Sequence, residues 1–223
     1  MAAEQKEKLM IPLIKTQTID WGRIARAVAF YQSKGFIYVE VPWMVDDSFV
    51  RPTYPEDVPQ KTCFATEKGT LVGSAEQSFL AYKKQGGNVH GHKRMVAVTP
   101  CFRDHQPKTH FHQPWFMKVE LWSEDPNFKA DKLMLLAGEF FAKEGTFITM
   151  EETDIGFDWK VGDIEIGSYG NRTWGKEEWS KTTWSYGTGL AEPRFSQALK
   201  EQKKVLGRHL DKTLSTKTED MNK

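Results

Sequence analysis

Residues 94–104, RMVAVTPCFRD, and residues 115–124, WFMKVELWSE, decide the fold of this chain. Both runs are rich in Val, Phe and Trp, which are residue types that favour β-strands. Because only a short polar segment separates the two runs, we expect them to pair as a long antiparallel hairpin. The sequence therefore predicts that an antiparallel sheet forms the centre of the molecule.

Helices and further strands are predicted on both sides of this hairpin. Apolar residues recur at helical spacing over residues 20–34, 74–85, 130–143 and 191–206. Asp20 and Ser74 precede the first two of these helices and are suitable N-caps. Alternating patterns predict one strand over residues 36–42 and three strands over residues 157–186. Strands, then a helix, then more strands are typical of an α+β fold, in which helices flank an antiparallel β-sheet.

The composition excludes several classes of protein. A chain of 223 residues with 14 Phe and 8 Trp can form a folded core, which argues against a disordered protein. The net charge of +1 gives no overall attraction to nucleic acid or to an anionic membrane. No apolar run approaches the ~20 residues of a membrane span, and the charged N-terminus lacks a signal-peptide apolar region. Reduced thiols at Cys63 and Cys101 fit better than a single bridge, so we expect a cytoplasmic protein without a membrane partner.

Three segments, taken in order, resemble the three sequence motifs of the class II aminoacyl-tRNA synthetases. Residues 33–45, SKGFIYVEVPWMV, resemble motif 1, with a helix, a Gly-aromatic turn, a strand and a proline. Residues 99–122 resemble motif 2, because Phe-Arg stands on one strand and Phe-x-Lys-Val-Glu on the returning strand. Residues 184–194, WSYGTGLAEPR, resemble motif 3, with Gly-x-Gly-x-Ala-x-x-Arg before a helix.

Two further segments extend the likeness. Residues 73–77, GSAEQ, resemble the segment that binds the substrate amino group, and residues 163–171, DIEIGSYGN, resemble the strand with a metal-binding Glu. Matches in the right order identify the chain as similar to a class II catalytic core, and most similar to the seryl-tRNA synthetase catalytic domain. The resemblance implies an ATP-dependent amino acid ligase. Its catalytic domain would cover residues 1–207, and residues 208–223 would form a polar, flexible tail.

The resemblance implies a role in ATP binding for Arg103, His105, Phe116, Glu165, Gly187, Gly189 and Arg194. Arg103 would bridge the α-phosphate of ATP and the carboxylate of the amino acid, because a guanidinium binds planar oxyanions with two parallel hydrogen bonds. Arg194 and Phe116 would stack on the two faces of adenine, and Arg103 and Arg194 would be the catalytic residues. Gly187 and Gly189 would allow the backbone to lie close to the nucleotide.

Other residues are implied in binding a metal ion and the amino acid. Glu165 and Ser168 would hold Mg²⁺, which prefers oxygen ligands, against the phosphates. Glu76 would pair with the substrate ammonium, and Glu120 and Asn171 would line the pocket for the substrate side chain. Each of these residues has a structural alternative, such as a solvent-facing strand residue, a helix N-terminal acid or a satisfied polar group of the core.

The sequence departs from the family pattern at the adenine contact and in the parts that bind tRNA. His105 stands where the family has a Glu that contacts adenine, and the loop between the motif 2 strands is short. No coiled-coil arm or anticodon-binding domain is recognisable. The chain therefore resembles truncated synthetase paralogues that pass the activated amino acid to a carrier protein, with tRNA as the other acceptor. Motif 1 implies a homodimer, with Phe36, Tyr38 and Trp43 buried between the copies.

Two other functions stay open. The chain could be a non-catalytic paralogue that binds a partner or senses an amino acid, although Arg103, Glu165 and Arg194 are retained. Five of the six histidines could instead form a transition-metal site in a nucleic-acid-binding module. These are His90, His92, His105, His110 and His112. Amino-acid-dependent exchange of pyrophosphate with ATP would be expected of the ligase and of neither alternative.

Overall fold

A computed structural model describes residues 18–53, 64–86, 91, 93–103, 111, 113–175 and 181–221, with the backbone alone described from residue 209 onward. The helices of these residues are α1 Trp21–Ser33, α2 Asp47–Val50, α3 Ala75–Lys84, α4 Ala130–Lys143 and α5 Arg194–Met221. The strands are β1 Ile37–Tyr38, β2 Met44–Val45, β3 Ala65–Thr66, β4 Gly69–Leu71, β5 Arg94–Phe102, β6 Trp115–Ser123, β7 Thr149–Thr153, β8 Gly156–Val161, β9 Ile164–Trp174 and β10 Thr182–Glu192.

The predicted hairpin belongs to a seven-stranded sheet with the order β1-β5-β6-β10-β9-β8-β7. β5 and β6 pair antiparallel over their whole length, from Arg94 opposite Ser123 to Phe102 opposite Trp115, which confirms that prediction. The other pairs in this sheet are antiparallel except β1 with β5, so the sheet is mixed at one edge. A smaller sheet has the order β2-β4-β3. The α+β fold class is confirmed.

Helices pack on both faces of the large sheet. α1, α4 and the first turns of α5 cover one face, which we call the helix face, through buried residues such as Tyr31 and Phe141. α3 packs on the opposite face, which we call the cavity face, through Phe79. On that face the indole rings of Trp122 (β6) and Trp184 (β10) stack with their centroids 4.9 Å apart. Among the described residues, α3 covers only part of the cavity face, and a cavity lies on another part of it.

Local signals start and end the helices where the sequence indicates. Oδ1 of Asp20 accepts a hydrogen bond from the backbone N–H of Arg23 at 2.8 Å, and Oγ of Ser74 accepts one from the N–H of Glu76 at 3.3 Å. Both predicted N-caps are therefore confirmed. Gly35 follows α1 with φ of 85°, a conformation that glycine adopts without strain and that ends the helix.

The bounds of the last helix differ from the prediction. α5 begins at Arg194 rather than at residue 191, because β10 continues to Glu192, which still pairs with Met117 of β6. α5 also continues to Met221 instead of ending at residue 206. Residues 207–221 contain no proline and several good helix formers, and the helix continues through Gly207 despite the low helix propensity of glycine. The flexibility of the tail stays a prediction.

The edges of the large sheet also differ from the expectation. β1 has two residues, and Phe36, just before it, lies in the core of its own chain with 1% of its surface exposed. Phe36 is therefore not available to a second copy, contrary to the prediction. The other edge is β7, which was not predicted because Thr149–Thr153 is a largely polar and exposed strand. None of the helices in the described part of the chain has the length and apolar composition that crossing a membrane requires.

Candidate active site

A cavity of about 420 Å³ lies on the cavity face of the sheet, next to the N-terminal end of α3. Strands β6, β9 and β10 supply its floor, and residues 73–77 supply part of its wall. The cavity brings together most of the residues that were expected to bind ligands. These are Glu76, Arg103, Phe116, Glu120, Glu165, Ser168 and Arg194.

Strand alternation and register determine which side chains form the floor. Every second residue of β6 from Phe116 to Glu120 lines the cavity. Glu120 lies opposite Thr188 of β10, and Ser168 of β9 lies opposite Asp158 of β8. The N–H of Ser168 lies 3.4 Å from Oγ1 of Thr188, which connects the two pairs. Four polar side chains therefore form one row across four strands.

Two β-bulges change this alternation at the cavity. The register between β8 and β9 shifts at Ile166, so Glu165 and Ser168 line the same cavity although they are three residues apart. In a regular strand these two residues would point to opposite faces. A second bulge, in β10, places both Thr188 and Ala191 at the cavity in the same way. The first bulge makes a joint role of Glu165 and Ser168 in metal binding geometrically possible.

One end of the cavity, which we call the arginine end, contains Arg103, Phe116 and Arg194. The guanidinium carbons of Arg103 and Arg194 lie 5.3 and 5.9 Å from the centroid of the Phe116 ring. Nη1 of Arg194 is 3.4 Å from Oε1 of Glu165. Burial lowers the pKa of Arg194, and the charge of Glu165 opposes that effect. Two cations around one aromatic ring suit a ligand that combines negative charge with a flat group.

A chain of hydrogen bonds holds Arg103 in place. Its Nε donates to the carbonyl of Gly73 at 2.7 Å. The N–H of Gly73 donates to Oε1 of Gln77 at 2.8 Å, and Nε2 of Gln77 donates to Oγ1 of Thr53 at 3.0 Å. Gln77 is buried, so these hydrogen bonds fix the wall of the cavity that Arg103 contacts.

The other end, which we call the carboxylate end, contains Glu76, Glu120, Lys118 and Arg172. Glu76 is 3% exposed and accepts a hydrogen bond from Nε1 of Trp184 at 2.7 Å. Nε of Arg172 lies 3.3 Å from the same oxygen of Glu76. Burial raises the pKa of Glu76 to about 7, although the charge of Arg172 opposes this. A buried carboxyl group with a pKa this high would be stabilised as an anion by a further cation, such as a substrate ammonium.

Glu120 at this end is fully buried and has three donors. Oε2 accepts hydrogen bonds from Oγ of Ser74 at 2.7 Å and from the N–H of Ala75 at 3.1 Å. Oε1 accepts one from Nζ of Lys118 at 2.8 Å. Glu120 therefore joins the first turn of α3 to β6, and this linkage is a structural role besides any contact with a ligand.

Three oxygen-bearing side chains, on β8 and β9, interact at the side of the cavity. Burial raises the pKa of Asp158, the charge of Glu165 raises it further, and a hydrogen bond with Ser168 lowers it. Carboxylate and hydroxyl oxygens are ligands that Mg²⁺ accepts. No group of three or more His, Cys, Asp or Glu side chains in the described residues is arranged to hold a metal ion. Metal binding by Glu165 and Ser168 therefore stays a prediction.

Asn171 does not reach the cavity, which corrects the sequence prediction. Its Oδ1 accepts hydrogen bonds from Oγ of Ser185 at 2.7 Å and from the N–H of Ala130 at 3.3 Å, on the helix face. Asn171 follows Ser168 by three residues of regular strand, so alternation places the two on opposite faces. The same alternation places Arg172 in the cavity.

Gly187 and Gly189 also face away from the cavity, contrary to the expected role beside the nucleotide. A Cβ atom on Gly187 would lie 2.6 Å from the ring of Tyr169, and one on Gly189 would lie 2.6 Å from the ring of Tyr31. The hydroxyl of Tyr31 also donates to the carbonyl of Gly189 at 2.8 Å. Glycine is needed here because tyrosine rings of the helix face pack directly on the strand.

Some predictions fall outside the described residues. His105 is one of them, so its contact with adenine is not tested. The same applies to the proposed histidine metal site, because His90, His92, His110 and His112 also lie outside.

The cavity also contains residues to which the sequence analysis gave no ligand-binding role, among them Lys118, Arg172, Asp158 and Gln77. Lys118 stands between Phe116 and Glu120 on an alternating strand, and that alternation was sufficient to find it. Arg172, Asp158 and Gln77 needed information that the sequence pattern lacks. Their places depend on the register of neighbouring strands and on contacts between distant segments.

Comparisons with known proteins support the fold and nothing finer. The sequence matches no protein-family model and no curated protein sequence. A structure of PylSc, a pyrrolysyl-tRNA synthetase of Desulfitobacterium hafniense, is similar with a TM-score of 0.64 at 13% identity, over 81% of this chain and 69% of that one. Another structure of pyrrolysyl-tRNA synthetase from the same organism has a TM-score of 0.61 at 16% identity, over 82% and 69% of the two chains.

A seryl-tRNA synthetase is similar as well. The structure of the Pyrococcus horikoshii enzyme complexed with ATP has a TM-score of 0.62 at 18% identity and covers 81% of this chain. This chain spans 49% of that enzyme, so it corresponds to about half of its length. Both kinds of enzyme are class II synthetases. This chain therefore has the fold of the class II aminoacyl-tRNA synthetases, as its sequence motifs predict.

Proposed function

We propose that this chain activates an amino acid with ATP to form an aminoacyl-adenylate and then transfers the aminoacyl group to an acceptor. The main support is the position of Arg103 and Arg194 around Phe116 at one end of a cavity whose other end contains the buried Glu76. Phosphates need cations, adenine needs a flat surface, and a substrate ammonium needs a carboxylate. A similar solved structure is complexed with ATP, which agrees with the proposal.

Arg103 is the residue that would act on the reacting atoms. A carboxylate oxygen of the amino acid attacks the α-phosphorus of ATP, a P–O bond forms, and the bond to the β-phosphate oxygen breaks with release of pyrophosphate. The two reactants are both anions, and negative charge grows on the α-phosphate. Arg103 is held by Gly73 and Phe116, so its guanidinium is oriented before the ligands arrive. Such preorganised charge lowers the barrier without any proton transfer.

Adenine would bind between Phe116 and Arg194. A flat ring with a contact on each side needs ~7 Å between its neighbours. The guanidinium carbon of Arg194 lies 5.9 Å from the Phe116 centroid, so Arg194 has to move outward by ~1 Å. Its ion pair with Glu165 opposes this only weakly, because the side chain of Glu165 is 45% exposed.

Glu165 and Ser168 would hold Mg²⁺, with Asp158 as a neighbouring carboxylate. The residues fit such an ion, because the donors are oxygens and because burial, followed by the charge of Glu165, raises the pKa of Asp158, so that a cation would stabilise its ionised form. The ion would neutralise part of the phosphate charge. Arg194, which contacts Glu165 here, would be the cation that reaches the γ-phosphate.

The proposed acceptor is a nucleophile other than tRNA, such as a carrier protein, with tRNA as the alternative. A protein that follows a tRNA backbone needs several phosphate contacts, and the net charge of this chain is only +1. Incubation with total tRNA and a radiolabelled amino acid checks this point. Charging of tRNA at a rate comparable to that of activation would identify tRNA as the acceptor.

A homodimer and a cytoplasmic location complete the proposal. Ile37, Trp43 and Met44 are exposed apolar residues of the motif 1 segment, with 43%, 54% and 39% of their surfaces accessible. Apolar side chains on an isologous interface would be buried against the same segment of a second copy. Light scattering that gives the mass of a monomer would contradict the dimer.

Amino-acid-dependent exchange of pyrophosphate with ATP tests the activity itself. We expect exchange with at least one amino acid, and a ~10²–10³-fold lower rate for Arg103→Ala because a preorganised charge contact to the transition state is lost. Arg103→Lys keeps the charge but loses the planar fork, so its rate should also fall. Arg26→Ala is the matched control, since the Arg26 side chain is 56% exposed on α1. A wild-type protein that binds ATP without exchange for any amino acid would favour the non-catalytic paralogue.

A further inference from the structure

We infer that the amino acid bound at the carboxylate end has a side-chain carboxylate, and that Arg172 binds it. This inference rests on the proposed function, because it names the substrate class of that site. No sequence motif indicates Arg172, whose place in the cavity follows from the register of β9.

The geometry of Arg172 suits recognition of an anion. Its guanidinium carbon lies 4.9 Å from the centroid of the Tyr186 ring, a cation–π contact on the floor of the cavity. Nε is 3.3 Å from Oε1 of Glu76, and Nη1 is 3.4 Å from the carbonyl oxygen of Pro52. The side chain is 21% exposed and lines the cavity. These contacts fix the orientation of a fork that binds carboxylates with two parallel bonds.

Arg172 retains donors for a ligand after these contacts. A guanidinium has five N–H donors. Among the described residues, Glu76 and Pro52 take one donor each, and the hydroxyl of Tyr186 is a third possible acceptor. Part of the fork is therefore left for a group that enters the cavity.

The balance of charge favours an acidic side chain over a neutral one. With Glu76 ionised, its pair with Arg172 and the pair of Glu120 with Lys118 leave the carboxylate end without net charge. In the proposed complex the substrate carboxylate goes to Arg103, while the substrate ammonium goes to Glu76 and adds one positive charge to this end. An uncompensated charge in a buried site is costly. A side-chain carboxylate on Arg172 restores neutrality.

The hydrogen-bonding groups beside Arg172 agree with a polar substrate. Thr53 and Gln77 line the same wall and are joined by a hydrogen bond of 3.0 Å. Pro52, whose carbonyl contacts Arg172, directly precedes Thr53. The hydroxyl of Thr53 also donates to the carbonyl of Val50 at 2.8 Å, so the wall beside Arg172 is polar and is held by hydrogen bonds before a ligand binds.

Pairs of nearly isosteric amino acids test the inference in the wild-type full chain. Aspartate and asparagine differ in charge at nearly constant shape, as do glutamate and glutamine. We measure pyrophosphate exchange for these four amino acids and for leucine, together with calorimetric binding of each amino acid alone. We expect one of the acids to exceed its amide by ~100-fold in kcat/KM, and leucine to be inactive, because the lost partner is a charge-assisted hydrogen bond.

Substitution of Arg172 separates recognition from support of Glu76. Arg172→Gln should lower kcat/KM for the acid by ~100-fold and have much less effect on the amide, with the KM for ATP unchanged. Arg26→Gln is the matched control for the substitution. An equal loss for the acid and its amide would mean that Arg172 only holds Glu76, and it would overturn the inference.

The outcomes distinguish this inference from the proposed function. Binding of aspartate or glutamate without any exchange would overturn activation and support the ligand class. Exchange with leucine or with an amide at least as fast as with the acid would overturn the ligand class and support activation. Absence of both binding and exchange for all of these amino acids would overturn the ligand class, whereas the proposed function is overturned only when no amino acid at all supports exchange. The wild-type comparison needs no variant, so it stands even if Arg172→Gln fails to fold.

Discussion

The two faces of the large sheet are built from the same strands but differ in almost every other respect. The helix face is covered by α1, α4 and α5 and buries apolar residues such as Tyr31 and Phe141. The cavity face has four acidic and four basic side chains around its cavity. Since alternate residues of one strand serve the two faces, a strand can stabilise the fold with one set of side chains and bind a ligand with the other. We therefore expect most substitutions on the helix face to change stability, and most on the cavity face to change ligand binding.

Substitution of Glu120 should cause the largest loss of stability. It is the exception to the expected difference between the faces, because Glu120 lies on the cavity face and yet supports the fold. Glu120→Ala would leave Lys118 buried without its partner and remove the acceptor of Ser74 and Ala75. We expect the free energy of unfolding to fall by about 3–5 kcal/mol. Denaturant titration measures this change.

Glu139→Ala is the matched control for that measurement. Glu139 pairs with Lys34 and Lys143 on the surface, and such exposed pairs contribute little. We expect no measurable change in its denaturation midpoint. An equally small effect of Glu120→Ala would mean that the cavity face serves ligand binding alone.

The second effect is a pH dependence of the free energy of unfolding, which is caused by Glu76 at the carboxylate end. Burial raises the pKa of Glu76 in the folded chain to about 7, above the usual value near 4.5. Between these two values the folded state binds more protons than the unfolded state. The contribution of Glu76 to stability is therefore complete at low pH, falls by up to ~1.4 kcal/mol per unit as the pH rises toward 7, and is constant above that.

Unfolding curves of the wild type and of Glu76→Gln, measured from pH 5 to pH 8, check this expectation. The glutamine variant keeps an acceptor for the indole N–H of Trp184 but has no proton to release. The difference in stability between the two proteins should change in favour of the variant as the pH rises. A difference that is independent of pH would show that Glu76 titrates at the same pH in both states.

The smallest of the three effects is expected at Gly189, on the helix face, where a substitution should change stability but not ATP binding. Gly189→Ala would place a Cβ atom 2.6 Å from the ring of Tyr31, and such overpacking costs ~1–3 kcal/mol. Because this methyl group points away from the cavity, the Kd for ATP should stay unchanged in the folded variant. Gly207→Ala is the control, since a Cβ atom there meets nothing within 4 Å and the residue lies in α5. A large loss of ATP affinity with normal stability would restore the nucleotide-side role of Gly189.

The site residues show how far sequence reasoning extends. Phe116 and Glu120 could be predicted because they stand on a regular strand, where a motif and an alternation of two define the face, and Arg103 could be predicted because it directly follows such a strand. Asn171 was assigned to the wrong face, since its assignment came from a family resemblance without a register. Arg172 was missed for the same reason. The face of a strand residue depends on every bulge before it, and bulges leave little trace in a sequence.

The sequence by itself determined the central hairpin, the N-caps at Asp20 and Ser74 and the order of the motifs, because these features depend on contacts within a few residues of the chain or on residue type alone. The tertiary structure alone decided which side chains meet. The bulge at Ile166 brings Glu165 and Ser168 to one face, and Gly189 needs its small size because Tyr31, from the other end of the chain, packs on it. Such contacts join segments far apart in the sequence, and their free energy depends on the packed arrangement of the whole core rather than on any local pattern.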